Sequence, residues 1–464
     1  MANPPTTLTP LDADIKDYMK GKYLPAGLIA VLLLVGGTIG YAHNTTPAPF
    51  MPSIISFFGL DAVLDQSVIN LSMSIIFATT VPGNYLGTWL EQKIGARHLF
   101  SLAMIIMAIG VLFVFVPSNK YGIFLAGRVI YGLGFGFSIP AFGSAFMKWF
   151  RPKGRQLMVT LNGLLPLLGA LVSYAWLPIV GAAYGGEAGM EAGWNFGYGF
   201  TGFILVAVLA IWLIFMRKSA DNIDIAAEEE RFLGTTEADT GKKENVFAWP
   251  FIRQETRFML ICFICDFMMY MYIATVLPLW LMSAGGMGEV QANFWAAIAF
   301  PLFGVVGVIL GGVITNATGR RQPVIFWCQV IKLAGIVLAC FTADFSAFGI
   351  IIGMALFGLG NGGWMSPFFL VPTEMKGTSA SKVAASYATL MSCGYVAGLI
   401  MPVVGGLLAT NLIEASTIVG ENAQLAYGYK WSMLILGLFH IIAIIFAAKL
   451  NETGPGKRQK AASL

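Results

Sequence analysis

Apolar runs of about 20 residues recur twelve times along this 464-residue chain, at roughly 24–57, 67–89, 98–117, 121–146, 156–182, 195–216, 257–283, 292–315, 323–342, 347–371, 381–411 and 429–450. At 1.5 Å per residue, a helix of about 20 residues crosses a hydrocarbon core of roughly 30 Å. Within hydrocarbon every backbone N–H and C=O must find its partner inside the chain, so such runs fold as helices packed on one another. Only 11% of the residues are charged, against roughly 25% in soluble domains. The sequence therefore predicts an all-α integral membrane protein with 12 transmembrane helices. The first run is too long for a straight span, and Pro47, Pro49 and Pro52 predict a bend or break in its second half.

Charge placement orients these helices, because Lys and Arg are retained on the cytoplasmic side. Alternate loops hold Lys16, Lys20, Lys22, Lys93, Arg97, Lys148, Arg151, Lys153, Arg155, Arg320, Arg321, Lys376, Lys382, Lys457, Arg458 and Lys460. The opposite loops hold Lys120 and Lys430 among acids: Asp61, Asp65, Glu187, Glu191, Glu289, Asp344, Glu414 and Glu421. Both termini are thus expected in the cytoplasm, with the chain in the plasma (inner) membrane. No cleavable leader is expected, since residues 1–22 are polar and the first apolar run is long enough to remain as a span. Cys262, Cys265, Cys328, Cys340 and Cys393 all fall in apolar runs. They read as packing thiols, and no metal or cofactor is expected. The net charge of +4 points to no nucleic-acid partner.

The chain also repeats itself. Gly132-Leu133-Gly134-Phe135-Gly136 returns 226 residues later as Gly358-Leu359-Gly360-Asn361-Gly362, and the pair Pro52 and Gly59 returns as Pro278 and Gly285. Two landmarks at one offset predict two copies of one unit. The expected organisation is an N-terminal tail (1–23), a six-helix bundle (24–216), a solvated linker (217–256), a second bundle (257–450) and a C-terminal tail (451–464). The linker carries Glu228-Glu229-Glu230, with a surface helix expected around Ile225–Phe232.

Three stretches resemble the major facilitator superfamily. After the eighth run, Gly312, Gly319, Arg320 and Arg321 match the loop signature G-x-x-x-D-R-x-G-R-R, with Asn316 in place of the acid and Ala317 in place of the first arginine. The corresponding first-half loop keeps Lys93, Gly95 and Arg97 and offers Glu91 as its acid. Arg128-x-x-x-Gly132-x-Gly134-x-Gly136 is similar to the family's fourth-helix pattern. The resemblance implies two pseudo-symmetric six-helix bundles around a central cavity, alternating access, a monomer in lipid, and these loop residues as the conformational switch. Such transporters bind substrate near the midplane between repeats.

Charges inside the membrane are costly, so each is a functional candidate. Arg128 either binds an anionic substrate or helps proton movement, or else tethers a backbone carbonyl or polar group of the first span. Asp266 is either the proton-coupling group or the permanent partner of Lys332. His43 and Asn44 fall where the first span faces the cavity in this family, whereas His440 reads as a packing residue. Tyr270, Asn361, Trp364 and Tyr387 are further substrate-binding candidates, with Asn84, Asn162, Tyr272 and Tyr395 behind them. Asn361 interrupts the glycine ladder where the first copy has Phe135.

Two cations against one acid in the spans favour a small organic anion such as a carboxylate, moved with protons or by exchange. Drug or metabolite efflux is the alternative, because Gly398-x-x-x-Pro402-x-x-Gly405-Gly406 is similar to an efflux signature, although it lies on the eleventh helix rather than the fifth. Leu161-Asn162-Gly163 resembles nitrate/nitrite porters, but the arginines of their second and eighth helices are missing. A transporter-like sensor would be expected to carry a soluble signalling domain. Three histidines and one membrane acid make no catalytic cluster, so no enzyme is expected.

Overall fold

The computed structural model describes residues 26–150, 152–216, 248–375, 380–454 and 456. The N-terminal tail, linker residues 217–247 with the expected Ile225–Phe232 helix, the end of the C-terminal tail, Arg151 and Lys376 lie outside them. Among the described residues, ten helical stretches are long and apolar enough to cross a membrane. Two of these, Gln66–Phe115 and Leu161–Phe215, run to 50 and 55 residues, more than twice the length one crossing needs. Each turns back on itself, so the described helices are numbered below as spans 1 to 12.

Span 1 is Ala26–Thr45, then a 3-10 turn at Ala48–Phe50, then Met51–Phe58. The expected break is present, at the prolines. Span 2 starts as Gln66–Ser74 and continues into the helix Phe77–Leu112, whose second part is span 3. Gly95 parts the two at φ 78° and ψ 162°, a backbone region open to glycine and little else. Span 4 is Tyr121–Trp149; span 5 is Pro152–Gly185 with a π turn at Val172–Trp176; span 6 is Gly189–Phe215.

In the second half, helix returns at Trp249–Ile252, within the stretch read as linker, and span 7 follows as Gln254–Gly285. Span 8 is Glu289–Thr318 with a π turn at Ile298–Leu302, and span 9 is Gln322–Thr342. Span 10 is Ala347–Gly363 continued by Met365–Glu374; span 11 is Ala380–Glu414; span 12 is Glu421–Gly437 with Phe439–Ala448.

The two glycine ladders do the same packing work in both halves. A Cβ on Gly136 would come within 2.9 Å of Asn84 N on span 2, and one on Gly134 within 2.7 Å of Met107 N on span 3. In the second copy, Gly362 and Gly358 abut the backbone of span 8, while Gly360 lies against span 9, 2.7 Å from Cys328 O. Alternate glycines therefore seat spans 4 and 10 against two neighbours at once, at backbone contact distance. Thr80 Oγ1 donates to Gly132 O at 3.1 Å across the first of these seams.

Candidate functional site

Five groups of polar residues bear on the site. Arg128 comes first. Pro47 has no N–H, so it cannot serve the carbonyl of His43, and the turn between Ser74 and Phe77 frees carbonyls on span 2. The Arg128 guanidinium takes up these acceptors. Nη1 donates to His43 O at 2.6 Å, Nη2 to Asn44 O at 3.0 Å, and Nε to Ser72 O at 2.8 Å. It is 1% exposed. His43 is equally enclosed, with Nδ1 3.1 Å from Thr201 Oγ1 and its ring against Tyr131 and Tyr198.

The second group lies inside the C-terminal bundle. Lys332 on span 9 pairs with Asp266 Oδ1 on span 7. Gln329 Nε2 donates to Asp266 Oδ2 at 3.3 Å, and His440 Nε2 on span 12 stands 3.3 Å from Oδ1 without hydrogen-bond alignment. The Lys332 ammonium lies 4.5 Å from the centre of the Trp364 ring. An ion pair so enclosed survives only with close geometry and added polar contacts; Gln329 supplies a hydrogen bond and the indole face a cation–π contact. In this state, then, Asp266 and Lys332 are paired.

A cavity of about 320 Å³ separates the two bundles. Spans 1, 2, 4, 5, 7, 10 and 11 line it, from mid-span to the ends nearest Lys148, Arg321 and Lys382, hereafter the basic face. Of the candidates, Asn44, Asp266, Tyr270, Asn361, Trp364 and Tyr387 are brought together in this lining, along with Asn162 and Tyr395. Arg128 and His43 are not part of it. Asp266 is the only charged side chain in the wall among the described residues. Several wall residues had not been singled out: Tyr41, Phe77, Phe142, Phe146, Phe263, Phe267 and Phe369. Helical spacing carried the signal for some of them. Phe263, Phe267 and Tyr270 stand with Asp266 on one stripe, and Tyr387, Met391 and Tyr395 recur every fourth residue.

The fourth group closes the opposite face. Asn70 Nδ2 donates to Pro402 O at 2.9 Å, Asn293 Nδ2 to Pro49 O at 2.9 Å, and Thr410 Oγ1 to Val63 O at 3.2 Å. Tyr429 OH donates to Gln66 Oε1 at 3.0 Å. All four bonds join one bundle to the other. A Cβ on Gly406 would come within 2.7 Å of the Gln66 backbone, so glycine is needed for this approach.

At the basic face each half carries its own latch. Glu91 accepts from Ser144 Oγ at 2.5 Å and pairs with Lys148 at 2.8 Å. In the second half the polarity is exchanged: Glu374, which is 226 residues after Lys148, takes a two-pronged bond from Arg321, at 2.7 and 2.9 Å. Arg321 N also donates to Glu452 Oε1 at 2.8 Å, and Gly456 N to Gly319 O at 3.0 Å. A carboxylate from beyond span 12 therefore stands at a loop whose own acid is replaced by Asn316. Lys93 lies over the Trp89 ring at 3.7 Å, and Arg97 Nη1 donates to Met216 O at 3.0 Å. Gly312 packs near Ser366, Gly319 caps span 8 at φ 66°, and the Arg320 N–H is held by Thr318 Oγ1 at 3.3 Å.

Known proteins share this architecture. A bacterial homologue of the human lysosomal transporter Spinster, solved inward-facing and unoccupied, matches with a TM-score of 0.76 at 15% identity, over 92% of this chain and 97% of its own. A D-xylose–proton symporter matches with a TM-score of 0.71 at 14% identity, over 91% and 97%. At such identities the likeness concerns the fold. In sequence, the uncharacterised MFS-type transporter YcxA of Bacillus subtilis is 23% identical over 364 residues, 74% of this chain and 79% of that protein. Probable anion transporter 5 of Arabidopsis thaliana is 25% identical over 127 residues, 27% of this chain and only 29% of that protein. The family pattern of the Major Facilitator Superfamily runs through residues 33–402. With that match over most of its length, and with two helical bundles enclosing a cavity, the chain belongs to the major facilitator superfamily of multi-pass membrane transporters.

Proposed function

We propose that this transporter carries a small organic anion with a largely apolar body, such as a monocarboxylate, and couples its movement to protons at Asp266. The observation that carries the reading is the position of Asp266, in the cavity wall and ion-paired to Lys332. Protonation of Asp266 removes its charge and leaves the Lys332 ammonium without a counter-ion. An incoming carboxylate restores neutrality, so proton and anion are favoured together inside the bundle. The aromatic wall suits an apolar body. The outer-face bonds and the cavity in the basic half fit an inward-facing state, with the termini in the cytoplasm of a plasma membrane.

A second reading has its own support. The only charge in the described wall is negative and is surrounded by aromatic rings, a setting that also suits an organic cation. Efflux of amines by proton exchange at Asp266 would follow from it. Proteoliposomes loaded at alkaline pH and diluted into acid separate the two. Accumulation of carboxylates, with counterflow, supports anion symport. Accumulation of amines only when the gradient is reversed supports the cation reading. Ligand binding without flux under any gradient would make the protein a sensor.

A further inference from the structure

We propose that Asn361 and Trp364 form the subsite for the substrate's carboxylate and that Lys332, behind the indole, supplies its counter-charge. This rests on the anion reading above. Asn361 and Trp364 lie three residues apart on span 10, on one helical face, and both line the cavity. They are 3% and 1% exposed. Neither Asn361 Nδ2 nor Trp364 Nε1 donates to any acceptor among the described residues. An indole N–H can only donate, and a buried donor without an acceptor is unfavourable. Two such donors a single turn apart, both in the wall of one cavity, call for a group with two acceptor atoms.

The surroundings select the charge of that group. The Lys332 ammonium lies 4.5 Å from the centre of the Trp364 ring. Its stem passes the glycine ladder at Gly360, where a Cβ would come within 2.9 Å of Lys332 Cγ. Span 10 thus brings the donor pair and the cation into one turn. Phe263 and Phe368 pack on the same indole, with ring centres 6.1 and 4.8 Å away, so the subsite is otherwise apolar. One cation and two donors match a monoanion with a planar pair of oxygens rather than a phosphate dianion. The proton that frees Lys332 arrives on Asp266 from solvent and stays there as O–H; Lys332 remains an ammonium throughout. The other groups facing this pair are Cys262 and Cys265 on span 7, Cys328 and Gln329 on span 9, and His440 on span 12. None is a carboxylate.

The test is calorimetric binding to the purified full chain of acetate, hexanoate and benzoate, each with its amide and its amine. Wild type should prefer the carboxylates. Trp364→Phe keeps the ring and removes the N–H; it should weaken the best carboxylate about 10-fold, from the loss of one charge-assisted hydrogen bond, and its amide several times less. In an Asp266→Asn background, which leaves no carboxylate stranded, adding Lys332→Gln should again cost the carboxylate about 10-fold and spare the amide. Retained amide binding shows that each variant is folded. Equal losses for carboxylate, amide and amine would reduce Trp364 to a wall and overturn the subsite. Carboxylate binding unchanged in both variants overturns it too, while leaving the anion reading intact. Binding of amines alone, or of no probe, by wild type would sink the anion reading and the subsite with it.

Discussion

Arg128 and Lys332 are both buried cations, and their surroundings give them different work. Arg128 serves carbonyls that two helix breaks set free, and no carboxylate partners it among the described residues. A lysine has three donors on one atom and cannot span spans 1 and 2 as the planar guanidinium does. Arg128→Lys is therefore expected to lower stability by about 2–3 kcal/mol, the loss of one or two charge-assisted bonds, measured by thermal unfolding in detergent. Unchanged stability with lost uptake would instead make Arg128 a substrate contact. Lys332 is partnered by a carboxylate, so removing one member alone strands the other. Lys332→Ala is expected to cost about 3–5 kcal/mol. The double variant Asp266→Asn with Lys332→Met should recover most of it; a double variant no more stable than the single would deny that the pair is the reason. Sequence showed which residues were charged and how deep they lay. It did not show that Pro47 leaves a carbonyl for Arg128, nor that Gly360 lets the stem of Lys332 past span 10, because both depend on which helices touch.

At the scale of helices, the glycine ladders were legible as a repeat, and the structure gives them a physical task. Gly134 faces span 3 and Gly360 faces span 9, each where a Cβ would lie 2.7 Å from a backbone atom. Gly134→Leu and Gly360→Leu are expected to abolish transport while the chain still inserts, as judged by flux and by yield in the membrane fraction. Normal flux in both would mean that close helix contact is unnecessary there. The two latches at the basic face are unequal. Arg321 and Glu374 are 7% and 24% exposed and make a two-pronged bond, whereas Lys148 and Glu91 are 34% and 15% exposed. Arg321→Lys should consequently slow transport more than Lys148→Arg does, in uptake assays under one gradient. The motif around Arg321 was readable, but its partner Glu452 was not, since 131 residues separate them. The first span's break was readable from its prolines alone.

For the whole molecule, the state seen is one in which the ends of the bundles opposite the basic face are bonded together and the cavity lies in the basic half. Alternating access requires those bonds to open. Cysteines at Val63 and Thr410, joined in wild type by a 3.2 Å hydrogen bond, are expected to crosslink in this state and to stop transport until reduced; flux that continues in the crosslinked protein would deny that this face opens. The helical membrane fold, the basic face and the superfamily were legible because each rests on patterns along the chain. The cavity was only partly legible. Its polar members stood out against an apolar background, while its aromatic wall resembled ordinary packing until two bundles were set face to face. The most direct measurement of proton coupling is accumulation of a bound carboxylate by proteoliposomes, alkaline inside, for wild type and Asp266→Asn. Wild type should concentrate the anion against its gradient, and Asp266→Asn should exchange it without concentrating it. Undiminished accumulation by Asp266→Asn would contradict the role given to this acid of the cavity wall.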